Sequence, residues 1–280
     1  MNIGGHDIGV CSWSLHPKDL SDLLAQIKEA GLSHVQLGLI PPLTVLDPAR
    51  LAEQVAQIKS AGVTPVGGMI GFKGEDYASI ARIKETGGFV PDTDWPARLI
   101  DIAQAGQIGK ALGVPHISAH IGFVPHKAHD HARYAAIVAR TREVADLFAR
   151  DGMGLNLETG QEPAGELLAF LNEVARPTVG INFDPANMIL YGAGDPIAAI
   201  RTLGPHIKSV HVKDGTASSN PGVEWGAEVP FGTGQVGADR FILALHDVGY
   251  RGPLCIEREA GTQRLTDVKY AVETLRKVAG

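Results

Sequence analysis

Residues 20–38 read Leu20-Ser-Asp-Leu-Leu-Ala-Gln-Ile-Lys-Glu-Ala-Gly-Leu-Ser-His-Val-Gln-Leu-Gly38, and this stretch decides the fold. Leu20, Leu23, Leu24 and Ile27 fall at helical spacing, so an amphipathic helix is expected as far as Ala30. Gly31 suits the left-handed position that closes a helix and turns the chain. His34–Gly38 then has the short apolar character of a strand. Helix, glycine stop and strand make one unit.

The unit recurs along the chain in both directions. Strand-like runs are Ile8–Trp13, His34–Gly38, Val63–Met69, Val114–Ile121, Met153–Glu158, Thr178–Asp184, Ile207–Val212 and Pro253–Glu257. Turn signals stand before several of them: Ala-Gly-Val at 61–63, Leu-Gly-Val-Pro at 112–115 and Gly-Tyr-Arg-Gly-Pro at 249–253. Eight alternations imply a parallel sheet, and eight strands close a (β/α)8 TIM barrel, expected as one α/β domain over residues 1–280. A doubly wound open sheet is the rival. It places a glycine-rich phosphate loop after its first strand, where this chain has Cys11-Ser-Trp-Ser-Leu-His16. Segments 70–96 and 214–238 are longer than a plain barrel needs. They follow the third and seventh strands, at the end where barrel enzymes build their sites, and are candidate lids.

Charge and composition narrow the function classes. Twenty-five Lys+Arg against 31 Asp+Glu leave a net charge of −6, which argues against a nucleic-acid partner. No apolar run approaches the ~20 residues of a membrane span. The first ten residues, MNIGGHDIGV, have neither a basic start nor a long apolar core, so no signal peptide is expected. Cys11 and Cys255 are too few for a disulfide framework and suit a reducing cytoplasm.

The informative residues stand at the C-terminal ends of the expected strands, which converge on one mouth in a barrel. The fifth strand ends at Glu158, the sixth at Asp184, the seventh at His211 and the eighth at Glu257. Each alone reads equally well as one half of an ion pair. Together, three carboxylates and an imidazole from consecutive strands form an oxygen-rich donor set. Such a set suits a divalent ion, with Mn²⁺ first and Mg²⁺ or Co²⁺ also compatible. Glu259, two residues beyond Glu257, competes for its place. His120 ends the fourth strand and is expected at the mouth, where Trp13 and His16 offer a stacking face and a floor for a bound small molecule. His126, His129 and His131 read as solvated histidines near a helix start. Gly232-Thr-Gly-Gln-Val-Gly237 matches a dinucleotide fingerprint in letters alone. No strand immediately precedes it, so it reads as a turn.

These residues also resemble a known family. Glu158, Asp184 within Phe183-Asp-Pro-Ala-Asn187, His211 within Val210-His-Val-Lys-Asp214 and Glu257 within Ile256-Glu-Arg-Glu259 resemble the metal site of the xylose isomerase-like barrels. The likeness is strongest to the sugar phosphate isomerase/epimerase group, which includes ketose 3-epimerases and inosose dehydratases. Val229-Pro-Phe-Gly-Thr-Gly-Gln-Val236 and Leu245–Glu257 resemble that group's loop and helix before the last strand. The resemblance implies a bound divalent ion, with Glu158 and Glu257 flanking a sugar as the acid/base pair. It departs at Asn187, where the group often has His, at Lys213, where epimerases tend to carry Arg nearby, and at Gln36, where an acidic side chain is expected. Asn187 and Lys213 then become candidates for binding substrate hydroxyls or a carbonyl.

The function implied is a divalent-metal-dependent sugar isomerase or epimerase working through an enediolate on a small sugar or keto-sugar. The alternative is a lyase, dehydratase or hydratase acting on an inosose or 3-keto-glycoside with the same site. An abasic-site DNA endonuclease and a non-catalytic sugar-binding barrel rank behind both. A homo-oligomer is the common state for such barrels.

Overall fold

The computed structural model describes residues 1–279. The barrel strands are β1 (His6–Cys11), β2 (His34–Gly38), β3 (Thr64–Ile70), β4 (His116–Ala119), β5 (Gly154–Glu158), β6 (Val179–Phe183), β7 (Ile207–Val212) and β8 (Leu254–Ile256). Each lies parallel to its neighbours in sequence. β8 pairs with β1, Cys255 opposite Gly9, and the ring closes into a TIM barrel. Strands of this kind are buried on both faces, by helices outside and by one another inside, which is why they read as apolar runs. Every residue of β6 is buried.

Helix α1 (Leu20–Glu29) forms as its spacing predicts. Asp19 caps it by accepting from the Asp22 N–H at 2.9 Å, and Leu20, Leu23, Leu24 and Ile27 are its buried face. Gly31 takes φ +73°, a left-handed turn that costs glycine little. The remaining helices are α2 (Leu51–Ser60), α3 (Ile80–Thr86), α4 (Trp95–Leu112), α5 (His131–Ala149), α6 (Ala164–Val174), α7 (Pro185–Tyr191), α8 (Pro196–Leu203), α9 (Ala238–Asp247) and α10 (Arg264–Ala279). No described helix is long and apolar enough to cross a membrane.

Two strands stop two residues short of expectation, each for a local reason. β1 stops at Cys11 because Ser12–Leu15 coils into a short 3-10 turn. The Ser12 hydroxyl accepts from the Gly38 N–H and the Ser14 hydroxyl from the Arg258 N–H, both at 2.9 Å, so the turn is tied to the ends of β2 and β8. β4 stops at Ala119, short of Ile121, whose carbonyl accepts from Phe89 N–H of the 70–96 segment at 2.7 Å. That segment folds back through Glu75, whose carboxylate accepts from the Phe72 and Gly88 N–H groups at 2.9 Å. The 214–238 segment opens with an antiparallel hairpin, Asp214–Thr216 against Ala227–Val229.

Over the last residues of β5, β6 and β7 polar residues face inward and the apolar residues between them face outward. Asn156 and Glu158 share a face of β5, Asn182 and Asp184 a face of β6, and Ser209 and His211 a face of β7. Buried polar groups are costly unless bonded, and these bond to one another. Asn156 donates to Ser209 Oγ at 3.0 Å, Ser209 donates to Asn182 Oδ1 at 2.6 Å, and Gln36 donates to Ser118 Oγ at 3.2 Å.

Candidate metal centre

Glu158, Asp184, His211 and Glu257 arrive at the mouth from β5 to β8, and one ligand atom of each lies within 4.8 Å of the others. All four are buried, Asp184 and His211 completely. His211 Nδ1 lies 2.7 Å from Glu158 Oε1, 3.3 Å from Glu257 Oε2 and 3.7 Å from Asp184 Oδ2. Its Nε2 lies 2.6 Å from Gln36 Oε1. An amide oxygen only accepts, so Nε2 carries a hydrogen and Nδ1 faces the three carboxylates. Against the cost of burial, their charge holds the ring's pKa well above the usual imidazole value, and a bound cation would take the place of the Nδ1 proton. Gln36 is therefore the acceptor that orients His211, the partner a metal-bound imidazole requires.

The donor set fits a divalent ion. Asp184 Oδ1 accepts from Ala186 and Asn187 N–H groups at 2.8 and 3.0 Å, capping α7. Its Oδ2 is buried with no hydrogen-bond partner. A buried carboxylate oxygen left bare on the side facing His211 is the place for a cation. Cys11 also approaches His211 and Glu257, but burial pushes its thiol well above the usual range, and thiol ligation needs the thiolate. Oxygen and imidazole donors remain.

The surrounding charge balances the cluster. Burial alone would raise the Glu158 carboxyl, but His120 and His211 hold it well below the usual carboxylate range. Burial likewise opposes charge on His120. Glu158 Oε2, 2.6 Å from its Nε2, outweighs that and raises the imidazole to about 9. Lys213 Nζ donates to Glu257 Oε2 at 2.8 Å, Glu259 Oε2 at 2.6 Å and Asn187 Oδ1 at 3.3 Å. Burial would lower its pKa, but Glu257, Glu259 and Asp184 keep it well above the ordinary value.

The other candidates divide. Trp13 enters the site, its indole N–H donating to Glu257 Oε1 at 2.9 Å and its ring meeting His211 edge-on. Above the cluster lies a cavity of about 430 Å³ that Trp13, His120, Glu158, Asn187, Lys213 and Glu257 help to line. His16 does not line it. The 3-10 turn swings His16 outward to an exposed position with φ +47°, in a neighbouring hollow. Glu259 stays at the rim, its side chain 51% exposed, so it is Glu257 that joins the cluster. Tyr77 and Trp225 bring the 70–96 and 214–238 segments to the cavity wall, their rings 6.5 Å apart. His126 and His129 lie on an exposed loop, and His131 opens α5.

The glycine turn at 232–237 has an occupant of its own. Asp214 accepts from the backbone N–H groups of Gly215, Gly232, Gly234 and Val236 at 2.8–3.0 Å. A cradle of that kind binds anions, and here the anion is the chain's own carboxylate.

Sequence reading passed over three kinds of residue. Asn182, which donates to Glu158 Oε1 at 3.4 Å, was signalled by a polar residue inside an apolar strand. Gln161, whose Nε2 lies 2.6 Å from His120 Nδ1, carried no signal. Neither did Glu162, raised to about 7 by burial while accepting from Val124 N–H at 2.8 Å.

Comparison with known proteins identifies the family. The model of the xylose isomerase-like TIM barrel family matches residues 24–278. The chain belongs to that family. It superposes on a xylose isomerase domain protein from Planctomyces limnophilus with a TM-score of 0.89 and 35% identity, covering 98% of this chain and 99% of that one. An L-ribulose 3-epimerase shares the fold at TM-score 0.73 and 20% identity over 97% and 95% of the two chains. A probable 3-DHS dehydratase, AsbF of Bacillus anthracis, does so at 0.71 and 16% over 96% and 98%. At those identities the likeness is one of fold. The uncharacterized protein YihM of Escherichia coli K12 is 32% identical over 81 residues, 28% of this chain and about a quarter (24%) of that protein.

Proposed function

We propose that this barrel is a divalent-metal-dependent isomerase or epimerase of a small sugar or keto-sugar, acting through an enediolate. The observation that carries the reading is the buried cluster of Glu158, Asp184, His211 and Glu257, with Asp184 Oδ2 unpartnered at its centre. Those four side chains would hold the ion, Mn²⁺ before Mg²⁺ or Co²⁺. When bound, it supplies Lewis acidity that eases negative charge onto the substrate's oxygens.

Glu158 and Glu257 are the acid/base pair. One takes the proton from the carbon beside the carbonyl, and the other returns a proton to the same or the neighbouring carbon, so no hydrogen is gained or lost. They reach the mouth from β5 and β8, with β6 and β7 between them. His120 and Trp13 orient the two carboxylates through the contacts described above. Lys213 and Asn187 bind substrate oxygens, and the 70–96 and 214–238 segments act as lids that exclude water.

The Lys213 ammonium supports a second reading. Proton removal by a glutamate, followed by departure of an oxygen substituent one carbon further on, needs a donor for the leaving oxygen. Lys213, 2.8 Å from Glu257, is placed to serve. The product would then be that of a lyase or dehydratase acting on an inosose or 3-keto-glycoside.

The test is solvent exchange in D₂O with added Mn²⁺ or Mg²⁺ on a panel of ketoses, inososes and 3-keto-glycosides. Metal-dependent deuterium is expected beside the carbonyl, with an epimer or isomer for the first reading and loss of water or aglycone for the second. Glu158→Gln and Glu257→Gln should each lower exchange by about 10²–10⁴-fold with the fold intact. Near-normal exchange in either variant would sink the proton-transfer pair.

A further inference from the structure

The metal-centre cavity does not end at its own rim. A second hollow of about 650 Å³ adjoins it, and Trp13, Pro42, Leu43 and Glu259 face both. The inner hollow, at about 430 Å³, already falls within the range of pockets that enclose a whole small molecule. The outer one has a different character. His16, Lys18, Thr44 and Arg264 line it with donors, while the Trp13–Pro42–Leu43 ridge is apolar.

We propose that this outer hollow is a second subsite, taking a second hydroxylated ring joined to the sugar that reacts at the metal centre. The proposal rests on the sugar-acting reading above and names its substrate class: a two-ring glycoside instead of a free monosaccharide. Three observations carry it. The apolar ridge presents an aromatic face and two aliphatic surfaces, which suit the C–H faces of a ring crossing between hollows. Glu259 stands at the crossing. Its Oε2 is held by Lys213 at 2.6 Å, whereas Oε1 has no protein partner among the described residues and is free to accept from a hydroxyl. His16 has the third sign. A non-glycine residue at φ +47°, ψ +49° is held where glycine would be cheaper, and the turn that holds it sets the imidazole in the outer hollow instead of the cavity. Neither His16 nor Lys18 lines the inner cavity.

The experiment compares 3-keto-glucose with 3-keto-cellobiose as substrates of the metal-loaded enzyme. The two-ring compound should have a kcat/KM about tenfold or more above the single ring. Lys18→Ala should remove about threefold of that margin and leave 3-keto-glucose within about twofold of wild type. Lys18→Ala with His16→Gly, which keeps the left-handed turn, should erase the margin. Equal values for the two substrates, or losses that fall equally on both, would overturn the subsite. Should neither compound exchange, tryptophan-fluorescence titration of the same proteins with cellobiose and glucose decides separately. A cellobiose preference that vanishes in the double variant keeps the subsite and removes only the proton-transfer reading. Equal affinities overturn the subsite itself.

Discussion

His116 and His120 stand at opposite ends of β4, four residues apart, and their surroundings drive them in opposite directions. Burial without a compensating charge pushes His116 down to about 4. His120 is half-buried at the mouth, and there Glu158 overcomes the cost of burial and raises it to about 9. The same contrast separates the two ends of the barrel. The hollow at the N-terminal end, about 640 Å³, exceeds the mouth cavity, but it holds Asp7, His116 and Lys208 without bringing carboxylates together. Size therefore does not mark the site. Convergence of ionisable groups does, and the parallel barrel creates it at one end because all eight strands point their C-termini there.

Removing an ion-facing oxygen should break that contrast most severely. Asp184→Ala takes away the bare Oδ2 and is expected to lower Mn²⁺ affinity by more than about 100-fold, beyond what loss of an orienting partner costs. Equilibrium dialysis with metal analysis over a range of Mn²⁺ concentrations reads this directly, and an affinity near wild type would contradict it. Gln36→Leu keeps every proposed ligand but frees His211 Nε2, so a smaller loss of about 10- to 100-fold is expected in the same assay. Unchanged affinity would mean that Gln36 merely fills the core.

The N-terminal end answers to pH instead. The folded pKa of His116 lies near 4, below the ordinary 6.5, so the unfolded chain binds more protons between those values. This contribution to stability is fully present above pH 6.5 and is lost as pH falls toward 4. His116→Gln should remove it. Urea unfolding at pH 7 and pH 4.5 should show wild type losing about 2 kcal/mol more than the variant on acidification. Equal losses would show that burial of His116 carries no such cost.

What was legible in the sequence follows from range. The strands were visible because a run buried on both faces is apolar whatever its partner, and α1 was visible in the spacing of Leu20, Leu23, Leu24 and Ile27. Glu158, Asp184, His211 and Glu257 stood out because charge directly after an apolar strand is costly without a reason. The pairing of Gln36 with His211 was not legible. It spans 175 positions and exists only because closure brings β2 and β7 to one interior. His16 was misplaced for the opposite reason. A local 3-10 turn, fixed by the hydroxyls of Ser12 and Ser14, rotates the chain after β1 by an amount that strand periodicity does not encode.

Asp214 offers the finest cut between the two ends. Its two carboxylate oxygens hold four backbone N–H groups, and through them the turn at 232–237 that leads into α9. Asp214→Asn replaces one accepting oxygen with an NH₂ group, which cannot accept, so part of the cradle loses its partner. Water at this partly open turn replaces some of the loss, and the expected cost is about 1–2 kcal/mol. The effect should be local. Hydrogen exchange should quicken at Gly232, Gly234 and Val236 and stay unchanged at His116 and Ile117, because the turn belongs to the mouth and shares nothing with the opposite end. Equal acceleration at both ends would mean that the barrel opens as one unit and that the mouth has no independent stability to lose.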